Sequence, residues 1–186
     1  MFCAVAFAFC LPGCLTVHDS QQGSQAARVY LTDRKTVAVL PPSALGRAFE
    51  SYQQIEGSFR GETYFFDAYV HADKERLVIV AFNSLGTKVF ELEHERNGVR
   101  FFTSLYADGM KPEYILEDFQ LCFFPADVVK KNLEAADLSL TVSREGEGEI
   151  RTVSDRGRPI IEIRSDGGEI RYRNLLRGYQ YIVKGN

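Results

Sequence analysis

The run Ile115-Leu116-Glu117-Asp118-Phe119-Gln120-Leu121-Cys122-Phe123-Phe124-Pro125 sets two acids and an amide inside an oily stretch. Carboxylates in apolar surroundings suit general acid–base work, provided that a second polar group converges on them in a cleft. On a helix each residue turns by about 100°, so Glu117, Asp118 and Gln120 do not all point one way. Asp118 lies one turn before Cys122, nearer the oily stripe, while Glu117 and Gln120 are i, i+3 neighbours. The sequence offers them no convergent partner. A carboxylate on a helix that packs on a sheet more often bonds a backbone N–H or an arginine of that sheet, because an unpaired buried charge is costly. A structural role is the expectation for all three.

Other chemistry is sparse. His18, His71 and His94 have no second histidine at metal-ligand spacing. The chain has no His-Glu-x-x-His, no paired cysteines, no Gly-x-Ser-x-Gly elbow and no phosphate-cradling glycine loop. No catalytic residue, metal or cofactor is therefore expected. His71, close to Asp73 and Glu75, could at most titrate at the surface. The 22 Lys and Arg are scattered among 25 Asp and Glu, for a net charge of −3. That is an ordinary solvated surface, without the basic face that nucleic acid requires. With 186 residues, 45% of them hydrophobic, the chain can build one domain with its own core.

The N-terminus suggests where that domain works. Residues 2–11 are apolar and small, too few for a membrane span of roughly 20 residues but enough for a signal-peptide core. They lead into Leu11-Pro12-Gly13-Cys14. A small residue before a cysteine, after a short apolar run, resembles the lipobox of bacterial lipoproteins. The resemblance implies cleavage of residues 1–13 and acylation of Cys14, with a palmitate-type chain, as a membrane anchor. The run lacks a preceding Lys or Arg, and Pro12 is unusual there. Cys122 would then be the one thiol of the mature chain, expected to act as a small hydrophobe. Residue 15 is Leu rather than Asp, so the resemblance implies sorting to the outer membrane, facing the periplasm. Residues 14–27 read as the lipidated cysteine with a flexible polar tether, and 28–186 as the single domain.

That domain reads as mainly β. Val37–Leu40, the run from Phe49 to Phe59, "TYFFDAYVHAD" and "RLVIVAFNSLG" are strand-like. In "TKVFELEHER" Phe90, Leu92 and His94 alternate with Glu91, Glu93 and Glu95, which predicts a strand with one wet face. Asn97-Gly98 signals a hairpin, and the returning strand adds Phe101 and Thr103 to the buried face. Helical spacing then takes over. Pro112 suits a helix start, Ile115, Phe119 and Cys122 form an apolar stripe, and Pro125 ends it before a second short helix, "ADVVKKNLEAAD". After Asp137 an antiparallel meander follows. Leu140 and Val142 share a face, as do Ile161 with Ile163, Ile170 with Tyr172, and Tyr181 with Val183. Arg164, Arg171 and Arg173 face the other way. The expected architecture is one curved antiparallel sheet or open half-barrel, its concave face closed by two short helices.

The string "PEYILEDFQLCFFPADVVKKNL", residues 112–133, resembles a family of bacterial lipoproteins found beside arylpolyene and fatty-acid-synthesis genes. Its recurrent run is Ile-Leu-x-Asp-x-Gln-Leu followed by an aromatic-Pro, here Ile115 to Leu121 with Asp118 and Gln120 as its polar members, then Phe124-Pro125. Family members often carry Trp before that proline; this chain has no Trp. The resemblance implies the architecture of the carriers LolA and LolB, an open barrel with helices in its mouth, and an apolar cavity for acyl chains. The expected lining is Phe90, Leu92, Phe101, Leu140, Val142, Ile161, Ile163, Tyr172 and Tyr181, with Ile115 and Phe119 on the helical lid. The expected partner is a lipid or acylated small molecule. Two rivals stand beside this reading: a non-enzymatic envelope scaffold with a filled core that docks another protein through Arg164, Arg171 and Arg173, and an enzyme with Asp118 as a hidden member of its site.

Overall fold

The computed structural model describes residues 16–19, 27–103 and 111–185, the first of these segments as backbone only. Cys14, the signal-like segment and most of the expected tether lie outside the described residues. The tether's Thr16–Asp19 forms a strand, β1, rather than a loose link. Two meanders build the sheet. The first is β4 (Phe49–Phe59), β5 (Glu62–Ala72), β6 (Arg76–Phe82), β7 (Lys88–Glu95) and β8 (Gly98–Thr103). The second is β9 (Leu138–Glu145), β10 (Gly148–Asp155), β11 (Arg158–Asp166), β12 (Glu169–Asn174) and β13 (Tyr179–Gly185). They join where β4 pairs β13, giving one 11-stranded antiparallel sheet in the order β1-β8-β7-β6-β5-β4-β13-β12-β11-β10-β9. β1 and β9 are its two free edges, so the sheet stays open rather than closing into a barrel.

The connections follow from turn chemistry. Arg60-Gly61 and Arg156-Gly157 each place two successive residues at positive φ, the two-residue hairpin whose twist matches that of the strands. The β7–β8 turn falls one residue before the expected Asn-Gly: Glu95 pairs Gly98, so Arg96-Asn97 make the turn and Gly98 begins the strand. Pro159 enters β11 where the β10 register slips between Val153 and Ser154, a bulge where a missing N–H is tolerated.

Because β8 and β9 lie at opposite sides of the sheet, the chain between them must cross its whole inner face. It does so as α1 (Pro112–Phe123) and α2 (Ala126–Glu134), α2 lying against β9. A second cover was not legible as such. β2 (Arg28–Tyr30) and β3 (Thr36–Ala38) form a separate two-stranded sheet that touches α1 and α2, and the 3-10 turn at Pro42–Leu45 touches β6.

One continuous core results. Leu92, Phe101, Phe119, Leu140, Ile161, Ile163 and Tyr172 are all buried in it, and Phe90, Ile115 and Tyr181 pack partly buried against it. The expected hairpin register is met: Phe90 opposes Thr103 and Leu92 opposes Phe101. Val142 departs from expectation. It shares its strand face with Leu140 but is 41% exposed, because β9 is an edge strand that runs on past its buried start at Leu138 and Leu140. Each fully buried Leu or Ile contributes roughly 1.5–3 kcal/mol relative to exposure, so the inner face and its helical cover dominate stability.

Leu92→Ala and Leu116→Ala should each cost about 2–5 kcal/mol, whereas Val142→Ala should stay within about 0.5 kcal/mol. Urea unfolding midpoints check this. A Val142 effect as large as that of Leu92 would mean that the lining extends along β9.

Candidate functional site

Of the polar residues of α1, Asp118 meets the sheet and Gln120 the cover on the other side. Pro112 starts the helix where its missing N–H is harmless, and Glu113 suits the positive end. From there the stripe Leu116, Phe119 and Cys122 faces inward, and residues that flank it are drawn in with it.

Asp118 meets a pair of tyrosines. The Tyr172 hydroxyl donates to its Oδ1 at 2.5 Å, and the Tyr179 hydroxyl donates at 2.9 and 3.0 Å to its two oxygens. The rings form a ladder: Tyr172 stacks on Tyr181 at 4.6 Å and on Tyr179 at 5.8 Å. The ladder exists because Tyr172, Tyr179 and Tyr181 share the inner face of paired strands, with Tyr172 directly opposite Tyr181. Asp118 as a residue is only partly buried, yet its carboxylate lies among packed groups. That burial pushes its pKa up to about 7, against the opposing pull of the tyrosine hydrogen bonds and the Arg177 charge. The hydroxyls of Tyr172 and Tyr179 titrate well above the usual tyrosine range, first from burial and then from the Asp118 charge. They stay protonated and donate.

Gln120 clamps the second cover. Its Nε2 donates to the Leu40 carbonyl at 2.8 Å, and its Oε1 accepts from the Leu40 N–H at 3.0 Å. Asn132 of α2 adds a bond to the Ala38 carbonyl at 2.8 Å. Arg151 of β10 caps the far end of α1, donating to the carbonyls of Leu121 and Phe124 at 2.9 and 2.8 Å while paired with Glu149. A cation there satisfies carbonyls that have no intrahelical partner and complements the helix dipole. Arg177 donates to the Tyr30 carbonyl and lies 4.3 Å from the Tyr114 ring centroid, tying β2 to the start of α1.

Glu117 has no such partner. It is buried, its Oε2 makes no hydrogen bond, and burial, then the charge of Asp118, pushes its pKa up to about 8. Burial also pushes the Cys122 thiol up to about 12. It approaches the Tyr181 hydroxyl at 3.9 Å and is no thiolate nucleophile. His94, on the inner face of β7, is pushed down to about 4 by burial, and its Nδ1 is unpartnered. His71 lies 3.5 Å from Asp73 on the other side of the sheet's rim. Among the described residues no three His, Cys, Asp or Glu side chains are placed to hold a metal, and no helix is long and apolar enough to cross a membrane.

The structure thus joins Asp118 to Tyr172, and Cys122 to Tyr181, while Gln120 turns to the opposite cover. The functional neighbours that sequence reasoning missed are Tyr179, Arg151 and Arg177. Tyr179 carried a usable signal, since it lies two residues before Tyr181 on one strand face. Arg151 did as well, as a lone cation two residues from Val153 on the inner face of β10. The arginine face expected to dock a partner is occupied: Arg164 pairs with Glu145, Arg171 with Glu169 and Arg173 with Glu162. Chemically, the cluster can hold or release a proton and can fasten a helix to a sheet.

The model of the family described as "Protein of unknown function (DUF3261)" matches residues 50–184, all but the first residue of β4 through nearly all of β13. The curated proteins gave no match.

Glu117 and Asp118 are both raised in the folded chain, so the fold binds more protons than the unfolded chain between about pH 4 and pH 8. Stability that is full below pH 4 therefore falls as pH rises to about 8, by on the order of a few kcal/mol. Glu117→Gln should flatten this slope in melting temperature against pH. An unchanged slope would place the titration elsewhere.

Proposed function

The chain belongs to the DUF3261 family, and we propose that it is a non-enzymatic lipoprotein, anchored through Cys14 to the periplasmic face of the outer membrane, that binds or hands on a lipid or acyl molecule, such as a polyene-type chain, on its concave face. The observation that carries this reading is the helical crossover. An open sheet presents an oily inner face, and α1 covers it without belonging to it. The cover is fastened by a few polar contacts, from Asp118 to the tyrosines and from Arg151 to the helix end. Such a helix acts as a lid. When it lifts, it exposes Leu140, Ile161, Ile163 and Tyr172 together, and an acyl chain replaces its apolar side chains at about 0.8 kcal/mol per CH₂. The arrangement is also the one that likeness to LolA and LolB implies. Cofactors have no part in this work.

The close packing of that same inner face favours a second reading, an envelope scaffold with a permanently filled core. The pairing of Arg164, Arg171 and Arg173 with glutamates weakens the docking face that the scaffold would use.

Mass spectrometry separates the two. The intact mass of membrane-extracted protein should show acylation of Cys14, and organic extracts should contain a co-purifying acyl compound. Protein that carries none, and takes up no added fatty acid or polyene, would move the reading to the scaffold. Leu140→Glu should abolish uptake while the circular dichroism of the strands persists; normal uptake in that variant would remove β9 from the lining.

A further inference from the structure

The two rims of the sheet differ in chemistry. One rim holds the β4–β5 turn after Phe59, the β6–β7 loop around Leu85, the β10–β11 turn at Arg156-Gly157 and the β12–β13 loop at residues 175–178. The pairs Phe59–Glu62, Phe82–Lys88, Asp155–Arg158 and Asn174–Tyr179 close them side by side. Their tips are oily. Leu85 is 87% exposed, Leu176 45% and Leu175 41%, with Phe59 exposed beside them, and Phe65, 61% exposed, stands further along β5 opposite Glu56. Single exposed apolar side chains are ordinary, but four gathered on or beside adjacent turns form a patch.

Cations lie among them. Arg60, Arg156 and Arg158 are exposed in the same turns, and the Arg60 guanidinium sits 4.9 Å from the Phe59 ring centroid. Two acids of this rim are engaged, since Glu62 accepts the Tyr64 hydroxyl and Asp155 pairs with Lys35, while Asp137 before β9 is exposed. Among the described residues the opposite rim has no such tips. Its turns carry the acids Asp73, Glu75, Glu147 and Asp166 together with the bases Lys74 and Arg96.

The strand Thr16–Asp19 begins at the oily rim. Thr16 pairs with Thr103, the end of β8 at that rim. Cys14 is two residues earlier, and two residues reach at most about 7 Å.

We infer that this rim is the bilayer-facing end of the protein. Phe59, Leu85, Leu175 and Leu176 enter the boundary between headgroups and acyl chains, and Arg60, Arg156 and Arg158 meet anionic phospholipid headgroups. Apolar side chains beside cations are the combination that holds a surface within roughly 5–10 Å of that boundary. The anchoring part of the argument rests on the proposed acylation of Cys14; the oily tips and their cations do not. Facing the bilayer in this way, the protein lies with its strands pointing into the membrane surface.

The chain has no Trp, so one introduced indole reports on one place. Full-length Leu176→Trp and, at the acidic rim, Lys74→Trp would be reconstituted into vesicles of phosphatidylethanolamine and phosphatidylglycerol with brominated acyl chains. The indole at 176 should shift its emission to shorter wavelength and lose most of its intensity, while that at 74 stays aqueous and unquenched. Matching melting curves for the two variants exclude misfolding. An unquenched indole at 176, or equal quenching at 74, overturns the inference. Failure of acyl uptake with the quenching pattern kept would remove the carrier role and leave the membrane-facing rim standing. The same pattern on protein whose intact mass lacks acylation would support the rim and remove only the anchor.

Discussion

The structure depends on one topological constraint: β8 and β9 occupy opposite sides of an open sheet, so the segment joining them must traverse the inner face. Among the described strands that face is mainly apolar and cannot be left to water. Burying it is the main driving force for folding, and the crossover is placed to do much of it. α1 and α2 are therefore cover by necessity. Their apolar stripes, the tyrosine ladder opposite Asp118 and the cap from Arg151 all follow from laying a helix where strands have left their inward side chains. The second cover, β2 and β3 with the turn at Pro42–Leu45, completes the closure and is locked to the helices through Gln120 and Asn132.

The polar groups beneath the lid differ in how well they are satisfied. Gln120 makes two bonds to one residue and Arg151 fills two open helix carbonyls, so both repay their burial. Asp118 has donors for its charge, but its surroundings still favour the proton. Among the described residues, Glu117 is buried with its Oε2 out of reach of any partner and of solvent. A packed apolar residue at 117 would serve the fold better, so the lid carries a built-in weakness that grows with pH. The weakness lies on the helix rather than on the sheet.

Much of this was legible in the sequence because periodicity reports burial directly. The alternation of Phe90, Leu92 and His94 against three glutamates fixed a face, and the spacing of Ile115, Phe119 and Cys122 fixed a helix. What escaped had physical reasons. Val142 continues an inward pattern, but no pattern reveals that the cover ends before it. The Asn97-Gly98 signal was right about a hairpin and wrong by one residue about the turn. β2 and β3 have three residues each, too few for alternation to show. Asp118 and Gln120 have structural partners, as their setting in a helix that packs on a sheet implies; spacing could place the two tyrosines on the inner face, but not their bonds to Asp118 nor the Leu40 clamp, since those pairings are long-range. Glu117 defies the expectation that a buried acid finds a partner.

Magnitudes set what a lid of this kind can do. The buried Leu116, Phe119 and Leu121 of α1 are worth roughly 1.5–3 kcal/mol each, and the hydrogen bonds to Asp118 and from Arg151 about 1–3 kcal/mol each because one partner is charged. Lifting the helix therefore costs on the order of 10 kcal/mol. At about 0.8 kcal/mol per buried CH₂, an acyl chain of a dozen carbons or more offsets that cost and a short one does not. On the proposed carrier reading, the closed state would therefore select for long chains before any lining residue discriminates among them. It also keeps the empty protein shut, so that its oily inner face does not become a site of aggregation.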